Sequence, residues 1–383
     1  MKQEKQEFQF SVASSPQIRT PRSTARIMMY VILALLPAAL WGVYQFGWYA
    51  AAVLAVSIAA AAAGEGILCL IRKKNTLSDG SAVLTGLLVG MNMPPSVPLY
   101  IPAVASLAAI IVFKGAFGGL GCNIINPALG GRLIAFFSWS SAMFTFQTPR
   151  TILESGVTVA GATGDAMTSA TPLTFLKSSV PEYAGSISNE MEVLSLKHYS
   201  LSEYDVAVTD KINSFFGENF YYGYFDAFFG IKGGCIGEIS AFLLLLGGLF
   251  LIAKKIIHWE IPAAFIGSFA AAVWVFGGLR AGTGFFSGDV IYQIFSGGLF
   301  LGAFFMATDM VTSPFRRGSM ILFGIGCGLL TFLIRFYGSF PEGVSLAIVF
   351  MNLTVPMLDR LFIPRRYGVK KKRRVGVGKG GNE

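Results

Sequence analysis

The 383-residue chain is 54% hydrophobic and only 13% charged, against about 25% charged in an ordinary soluble domain. Its net charge of +9 sits in the terminal stretches and short connectors. That argues against a nucleic-acid surface and fits the cytoplasmic ends of a membrane protein.

Residues 1–26 form a polar tail ending in Arg19, Arg22 and Arg26, with no pattern of a cleavable signal peptide. Apolar runs of membrane-spanning length follow at 27–46, 48–71, 79–93, 99–116, 123–138, 236–253, 261–279, 290–308, 319–336 and 341–360. Arg72 to Lys74, Lys114, Lys254-Lys255 and Arg316-Arg317 all fall on the side of both termini, and the opposite loops 94–98 and 338–341 lack lysine and arginine. Basic residues concentrate on the cytoplasmic side, so both termini are expected there, in the plasma membrane. The run Lys370 to Arg374 suits anionic lipid headgroups.

The expected fold is all-α and polytopic, with about ten transmembrane helices. Five spans precede the long loop 139–235 and five follow it. An odd number per half gives the second half the opposite orientation, the arithmetic of an inverted repeat. The expected units are tail 1–26, repeat 27–138, outer-face loop 139–235, repeat 236–360 and basic tail 361–383. Gly86-x3-Gly90 resembles Gly298-x3-Gly302, and Asn123-x3-Pro127 with Arg132 resembles Asn352-x3-Pro356 with Arg360.

Within the outer loop, Asp165-Ala166-Met167-Thr168-Ser169-Ala170-Thr171-Pro172 offers hydroxyls in a polar setting. Pro172 biases Thr171 toward an extended backbone, which helps present its hydroxyl. The plain alternative is a Ser/Thr turn that satisfies its own backbone. The aromatic stretch Phe215 to Phe229 is expected to lie along the membrane interface.

Polar groups inside spans are costly and therefore informative. Asn123 and Asn126 open the fifth span and share a helix face. Thr308 and Asp309 close the eighth, so amides, a hydroxyl and a carboxylate meet in the cytoplasmic half, fit for a flavin edge or an ion path. The alternative pairs Asp309 with Arg316 or Arg317 and leaves Asn126 as a helix cap. Glu65 and Arg335 read as interfacial structural residues, Glu65 reaching toward the basic connector. Cys69, Cys122, Cys235 and Cys327 are dispersed, His198 and His258 lie outside the spans, and no Walker loop occurs. Iron–sulfur ligation has little support here, and membrane di-haem binding and ATP-driven transport have none.

Several motifs occur in a recognisable order: Ser78-Asp79-Gly80 with Leu84-Thr85-Gly86, Asn123 through Arg132, Thr168 through Thr171, and Phe305 through Asp309. In this the chain resembles the family shared by the D subunit of Rnf complexes and the B subunit of sodium-pumping NADH:quinone reductases. The resemblance covers roughly residues 20 to 365. It implies covalent FMN on Thr171 through its phosphate, and a non-covalent riboflavin near Asn123, Asn126 and Asp309. It implies no catalytic or metal-ligating residue. Ser169 stands where glycine is commoner and Met310 where proline is common. The short N-terminal tail favours the Rnf side.

The resemblance further implies a subunit of an ion-translocating ferredoxin:NAD+ oxidoreductase, without a complete active site of its own. Its partners are then iron–sulfur and flavin subunits, its lipid surroundings the membrane, and the ion Na+ or H+. The inverted-repeat expectation alone equally suits a channel or transporter for a small neutral solute.

Overall fold

The computed structural model describes residues 23–73, 76–154, 171–183, 187, 189, 192–193, 201–216, 220–340 and 342–363. Both terminal tails beyond these bounds, and Asp165 to Ala170 of the threonine motif, lie outside the described residues. Among the described residues every regular element is helical.

Ser23 opens α1 (Thr24–Phe46), its hydroxyl accepting from the Arg26 amide at 3.3 Å. Gly47, at φ 80°, ends α1 and allows α2 (Trp48–Arg72) to start at once. Next come α3 (Ser81–Met91) and α4 (Tyr100–Ala108), which runs on as a π-helical stretch to Gly115. Asn126 caps α5 (Pro127–Ser138), with proline at the first helical position, where its missing N–H costs nothing.

The segment expected as an outer-face loop is itself partly helical. It holds α6 (Pro172–Ser179), α7 (Glu203–Phe216) and α8 (Tyr224–Phe229). Then follow α9 (Ala241–Ala253) and α10 (Glu260–Phe276). The run read as a single span over 290–308 is broken into α11 (Val290–Phe295) and α12 (Leu299–Leu301), which passes into a π turn at Gly302–Met306. The cause is local: Gly297 sits at φ 68°, a conformation that disfavours any side chain and interrupts the helix. α13 (Arg317–Tyr337) and α14 (Val344–Leu361) complete the bundle.

Five stretches are long and apolar enough to cross a bilayer: α1, α2, Glu260–Ala281, α13 and α14. Ser81–Met91, Tyr100–Gly115 and Ala241–Ala253 are apolar but shorter. The length and number of these helices make the chain a multi-pass membrane protein. Leu40, Leu70, Phe137 and Leu353 are all more than half exposed, as side chains facing lipid are. α2 lies tight on α3, because a β-carbon at Gly86 would stand 2.7 Å from the Ile58 Cα. Across the halves, α1 packs on α9 and α5 on α14.

The motif match between the halves does not extend to local conformation. Pro127 starts a helix, whereas Pro356 lies inside α14 and Asn352 sits in mid-helix.

Part of the aromatic stretch packs on the bundle through half-buried rings, while Phe215 and Phe220 stay exposed. Phe228 stands 4.9 Å from Phe295 and 5.5 Å from Phe242, ring centre to ring centre. α7 and α8 cap one another through two aspartates. Asp205 accepts from the Gly223 and Phe225 amides at 2.6 and 2.9 Å, and Asp226 accepts from the Ser202 amide at 2.7 Å. Burial pushes the Asp226 carboxyl up to about 7, against hydrogen bonds from Ser202 that favour the carboxylate.

A carboxyl whose folded pKa exceeds its unfolded value of about 3.9 contributes stability below that value and loses it as pH rises through the folded pKa. Amides of residues 203–229 should therefore be better protected from hydrogen exchange at pH 5 than at pH 8, after correction for intrinsic rates. Asp226→Asn should flatten that dependence. Equal protection of the wild type at both pH values would remove the assignment.

Candidate functional site

The start of α1, the start of α5 and the π turn after α12 line a cavity of about 370 Å³, within the range of small-molecule sites. Asn123, Asn126 and Asp309, distant from one another in sequence, all line it, together with Lys114, Phe304 and Phe305. Asn126 is a helix cap and more. Its Oδ1 accepts from the Ala128 amide at 3.0 Å while its Nδ2 donates to the Met306 carbonyl at 3.2 Å. One side chain thus ties the start of α5 to the π turn after α12. Asn123 is buried, and its Oδ1 has no hydrogen-bond partner. A buried, unsatisfied acceptor facing a cavity calls for a donor from a ligand or water.

Asp309 does not pair with Arg316 or Arg317. Its carboxylate accepts from Thr312 Oγ1 at 3.0 Å, closing a turn in which the Ser313 amide also donates to the Asp309 carbonyl at 3.0 Å. Arg316 donates instead to the Asp359 carbonyl, and Arg317 Nε lies 3.4 Å from Glu260 Oε1.

Glu65 reaches a connector lysine, as expected of a structural residue, but does so inside the protein. It is buried and forms an ion pair with the equally buried Lys114 at 2.7 Å; Lys114 also donates to Ser81 Oγ at 2.8 Å. The lysine read as part of a basic connector therefore faces the cavity. The reason is desolvation: neither charge is tolerable alone at that depth, and each supplies the other's counter-charge.

Thr171 does not line this cavity. α6 packs at the C-terminal end of α13, where Lys177 donates to the Gly338 and Phe340 carbonyls at 2.6 and 2.7 Å, while Asp309 precedes the start of α13. Thr171 has the extended backbone expected before proline, with φ −59° and ψ 150°. Its side chain, however, is 4% exposed rather than displayed on a loop. As N-cap of α6 the hydroxyl accepts from the Thr174 amide at 3.2 Å, and it shares a 2.7 Å hydrogen bond with Thr174 Oγ1. It borders a small pocket with Lys232, Ser296 and Gly297.

Between the two sites runs a chain of buried polar contacts. Arg132 lies 2.9 Å from Glu238 and 2.8 Å from Glu342, and donates to Ser345 at 2.8 Å and to Asn92 Oδ1 at 2.6 Å. Asn92 Nδ2 in turn reaches Met306 Sδ at 3.9 Å, next to the carbonyl that Asn126 holds. Glu238 and Glu342 also line the Thr171 pocket. Arg335 is buried as well, bound to the Gln293 and Ser296 carbonyls at 2.6 and 3.3 Å.

Residues 11–368 match the model of the NQR2, RnfD, RnfE family. The chain belongs to that family. It is 41% identical over 363 residues to the D subunit of the proton-translocating ferredoxin:NAD(+) oxidoreductase complex of Clostridium ljungdahlii, covering 94% of this chain and 97% of that one. Identity is 39% over 369 residues to the Na(+)-translocating counterpart of Acetobacterium woodii, covering 95% and 97% of the two chains. The D subunit of the ion-translocating oxidoreductase complex of Stutzerimonas stutzeri is 37% identical over 361 residues, covering 90% and 92%.

For this RnfD-type chain the residues at the inner cavity suit a flavin. The inner cavity combines an unsatisfied amide oxygen with apolar walls, as the polar edge and flat ring of a flavin require. The Thr171 pocket, of about 10 Å³, sets the Lys232 ammonium and the unpartnered Ser296 hydroxyl beside the Glu238 and Glu342 carboxylates. Reading the sequence missed Lys114, Lys232, Glu238 and Glu342 as site residues. The one signal at hand was Arg132, an arginine deep in an apolar run that needs carboxylate partners somewhere.

Proposed function

We propose that this chain is the flavin-carrying membrane subunit of a redox-driven ion pump. In the assembled complex it relays electrons between ferredoxin and NAD+, coupled to movement of Na+ or H+. Its relatives' names support an oxidoreductase and translocase subunit of a multi-subunit complex; its partners in this reading are other Rnf-type subunits, iron–sulfur and flavin carriers among them. The observation that carries the reading is the convergence of Asn123, Asn126 and Asp309 on one cavity.

A flavin supplies a carrier that accepts and passes on electrons singly or in pairs. Thr171 is the attachment point for FMN through its phosphate. Asn123 and Asn126 are the donors and acceptors for a second, non-covalent flavin, riboflavin, with Phe304 and Phe305 shielding it. Asp309 holds negative charge beside it or passes an ion. The topology that accompanies this reading has ten spans in an inverted five-plus-five arrangement, with 139–235 outside and both termini cytoplasmic. Ten helical or broken-helical segments at the expected positions support it.

Two experiments test these statements. A membrane-impermeant thiol reagent on intact cells should label Ser188→Cys and leave Gly376→Cys untouched; the reverse pattern would invert the topology. In the purified whole complex, Asp309→Asn keeps the shape and removes the charge. Ferredoxin-driven NAD+ reduction with ion uptake should fall roughly tenfold or more, equivalent to about 1.4 kcal/mol, while the flavin on Thr171 remains. Unimpaired coupled turnover would reduce Asp309 to the turn-closing role seen with Thr312.

A further inference from the structure

Lys114 and Asn123 line one cavity with opposite hydrogen-bonding needs. Lys114 is 2% exposed and is the only lysine or arginine among the described residues of the cavity wall. Its ammonium carries three N–H donors. Two are taken, by Glu65 Oε2 at 2.7 Å and by Ser81 Oγ at 2.8 Å. The third has no acceptor among the described residues. Asn123 Oδ1 is the reverse case, a buried acceptor without a donor. Buried groups of this kind cost free energy unless something outside the chain completes them.

The rest of the wall narrows what that is. Glu65 already neutralises Lys114, and Asp309, the one carboxylate among the described lining residues, is held by Thr312. The cavity therefore has no spare positive charge, and the group that meets Lys114 is a neutral carbonyl rather than a phosphate or carboxylate. Leu84, Leu88, Ile257, Phe304 and Phe305 give apolar walls, and the volume is about 370 Å³. Water can complete the two polar groups but gains nothing from those walls. The fitting ligand is flat and largely apolar, with a donor and an acceptor on one edge.

We propose that Lys114 and Asn123 together recognise a cyclic imide edge, an N–H flanked by carbonyls. Asn123 Oδ1 accepts from the imide N–H, and the third N–H of Lys114 donates to a flanking carbonyl. The inference rests on the flavin reading of this cavity and adds to it which edge is held, since the pyrimidine end of a flavin carries that imide. Glu65 and Ser81 fix the ammonium in place, and neither Lys114 nor Asn123 reacts with the ligand.

The test uses the whole complex, purified from its native host and stripped of non-covalent flavin, with rebinding followed by quenching of flavin fluorescence. In the wild type, methylating the imide nitrogen of riboflavin should weaken binding roughly tenfold or more, because a site built to bond an N–H rejects the analogue that lacks it. Replacing the flanking carbonyls in turn by thiocarbonyls, which are weaker acceptors, should weaken binding for at least one of the two analogues. Asn123→Leu should erase the methylation penalty. The double variant Lys114→Met, Glu65→Gln removes both charges of the buried pair and strands neither. It should bind riboflavin roughly tenfold or more weakly, lose the thiocarbonyl penalty and keep the methylation penalty. Riboflavin affinity in that variant equal to the wild type would make Lys114 only the counter-ion of Glu65 and overturn the proposal. Wild-type complex that binds both thiocarbonyl analogues as tightly as riboflavin would overturn it equally, and that comparison needs no substitution should the variant fail to accumulate. A wild-type complex that releases no non-covalent flavin on denaturation would instead sink the flavin reading of the cavity.

Discussion

Arg132→Met is expected to deplete the folded protein from the membrane. Methionine keeps much of the volume of the stem but leaves Glu238 and Glu342 facing one another without the guanidinium that now contacts both. Breaking a buried ion pair by removing one partner costs about 3–5 kcal/mol. That is a large part of the roughly 5–15 kcal/mol by which a typical protein is stable. The loss is structural in a specific sense, since Arg132 lies on α5 while Glu238 precedes α9 and Glu342 and Ser345 bracket the start of α14. Removing it loosens the contact between the two halves of the bundle. Detergent-solubilised Arg132→Met should run with reduced monodispersity and a lower melting midpoint. Adding Glu238→Gln and Glu342→Gln to the same chain should recover part of both. A single variant that accumulates and melts like the wild type would show that the cluster is solvated and not an interlock.

The contrast between Arg132 and α1 shows what could be read from the sequence. Local patterns were legible. α1, α2, α13 and α14 fall where long apolar runs predict them, and Asn126-Pro127 and Thr171-Pro172 open helices because an oxygen-bearing cap followed by proline suits a helix start. Two positively charged side chains land where local rules do not put them. Lys114 looks like a connector charge, yet its partner Glu65 is 49 residues away, and only tertiary structure joins them. Lys232 looks like a flanking charge, yet it is buried, and one of the two carbonyls that hold it belongs to Phe295, 63 residues further along the chain. The break at Ser296 to Gly298 was hidden for a different reason: hydropathy averages over a window, and one glycine at positive φ is enough to end a helix inside it.

At the candidate site, residue types were legible and geometry was not. Asn123, Asn126 and Asp309 stood out as polar groups in apolar runs, and the structure brings them to one cavity. Spacing alone allows Asp309 to pair with a nearby arginine. Thr312, three residues on, takes that place because a turn-closing hydroxyl is closer than an arginine that must leave the Asp359 carbonyl. At Thr171 the backbone followed from Pro172, but the burial of the hydroxyl did not, since it depends on α6 docking against the end of α13.

Thr171→Ala should abolish covalent flavin while leaving the chain in the membrane. The hydroxyl is the only atom the substitution removes from the proposed linkage, and its structural duty is a helix cap with one hydrogen bond shared with Thr174 Oγ1. Loss of such a cap costs about 1 kcal/mol, too little to unfold a multi-pass protein. Adduct loss in this variant therefore reports chemistry, not misfolding, provided that the amount and melting midpoint of the protein stay near those of the wild type. The most direct measurement is peptide-resolved mass spectrometry of this subunit, taken from the whole complex of the native membrane. Covalent attachment predicts FMN, bonded through phosphate, on the peptide spanning Asp165 to Pro172, with fragmentation placing it on Thr171 and Thr171→Ala showing none. An unmodified peptide from active wild-type complex, or an adduct on Thr168, would contradict it.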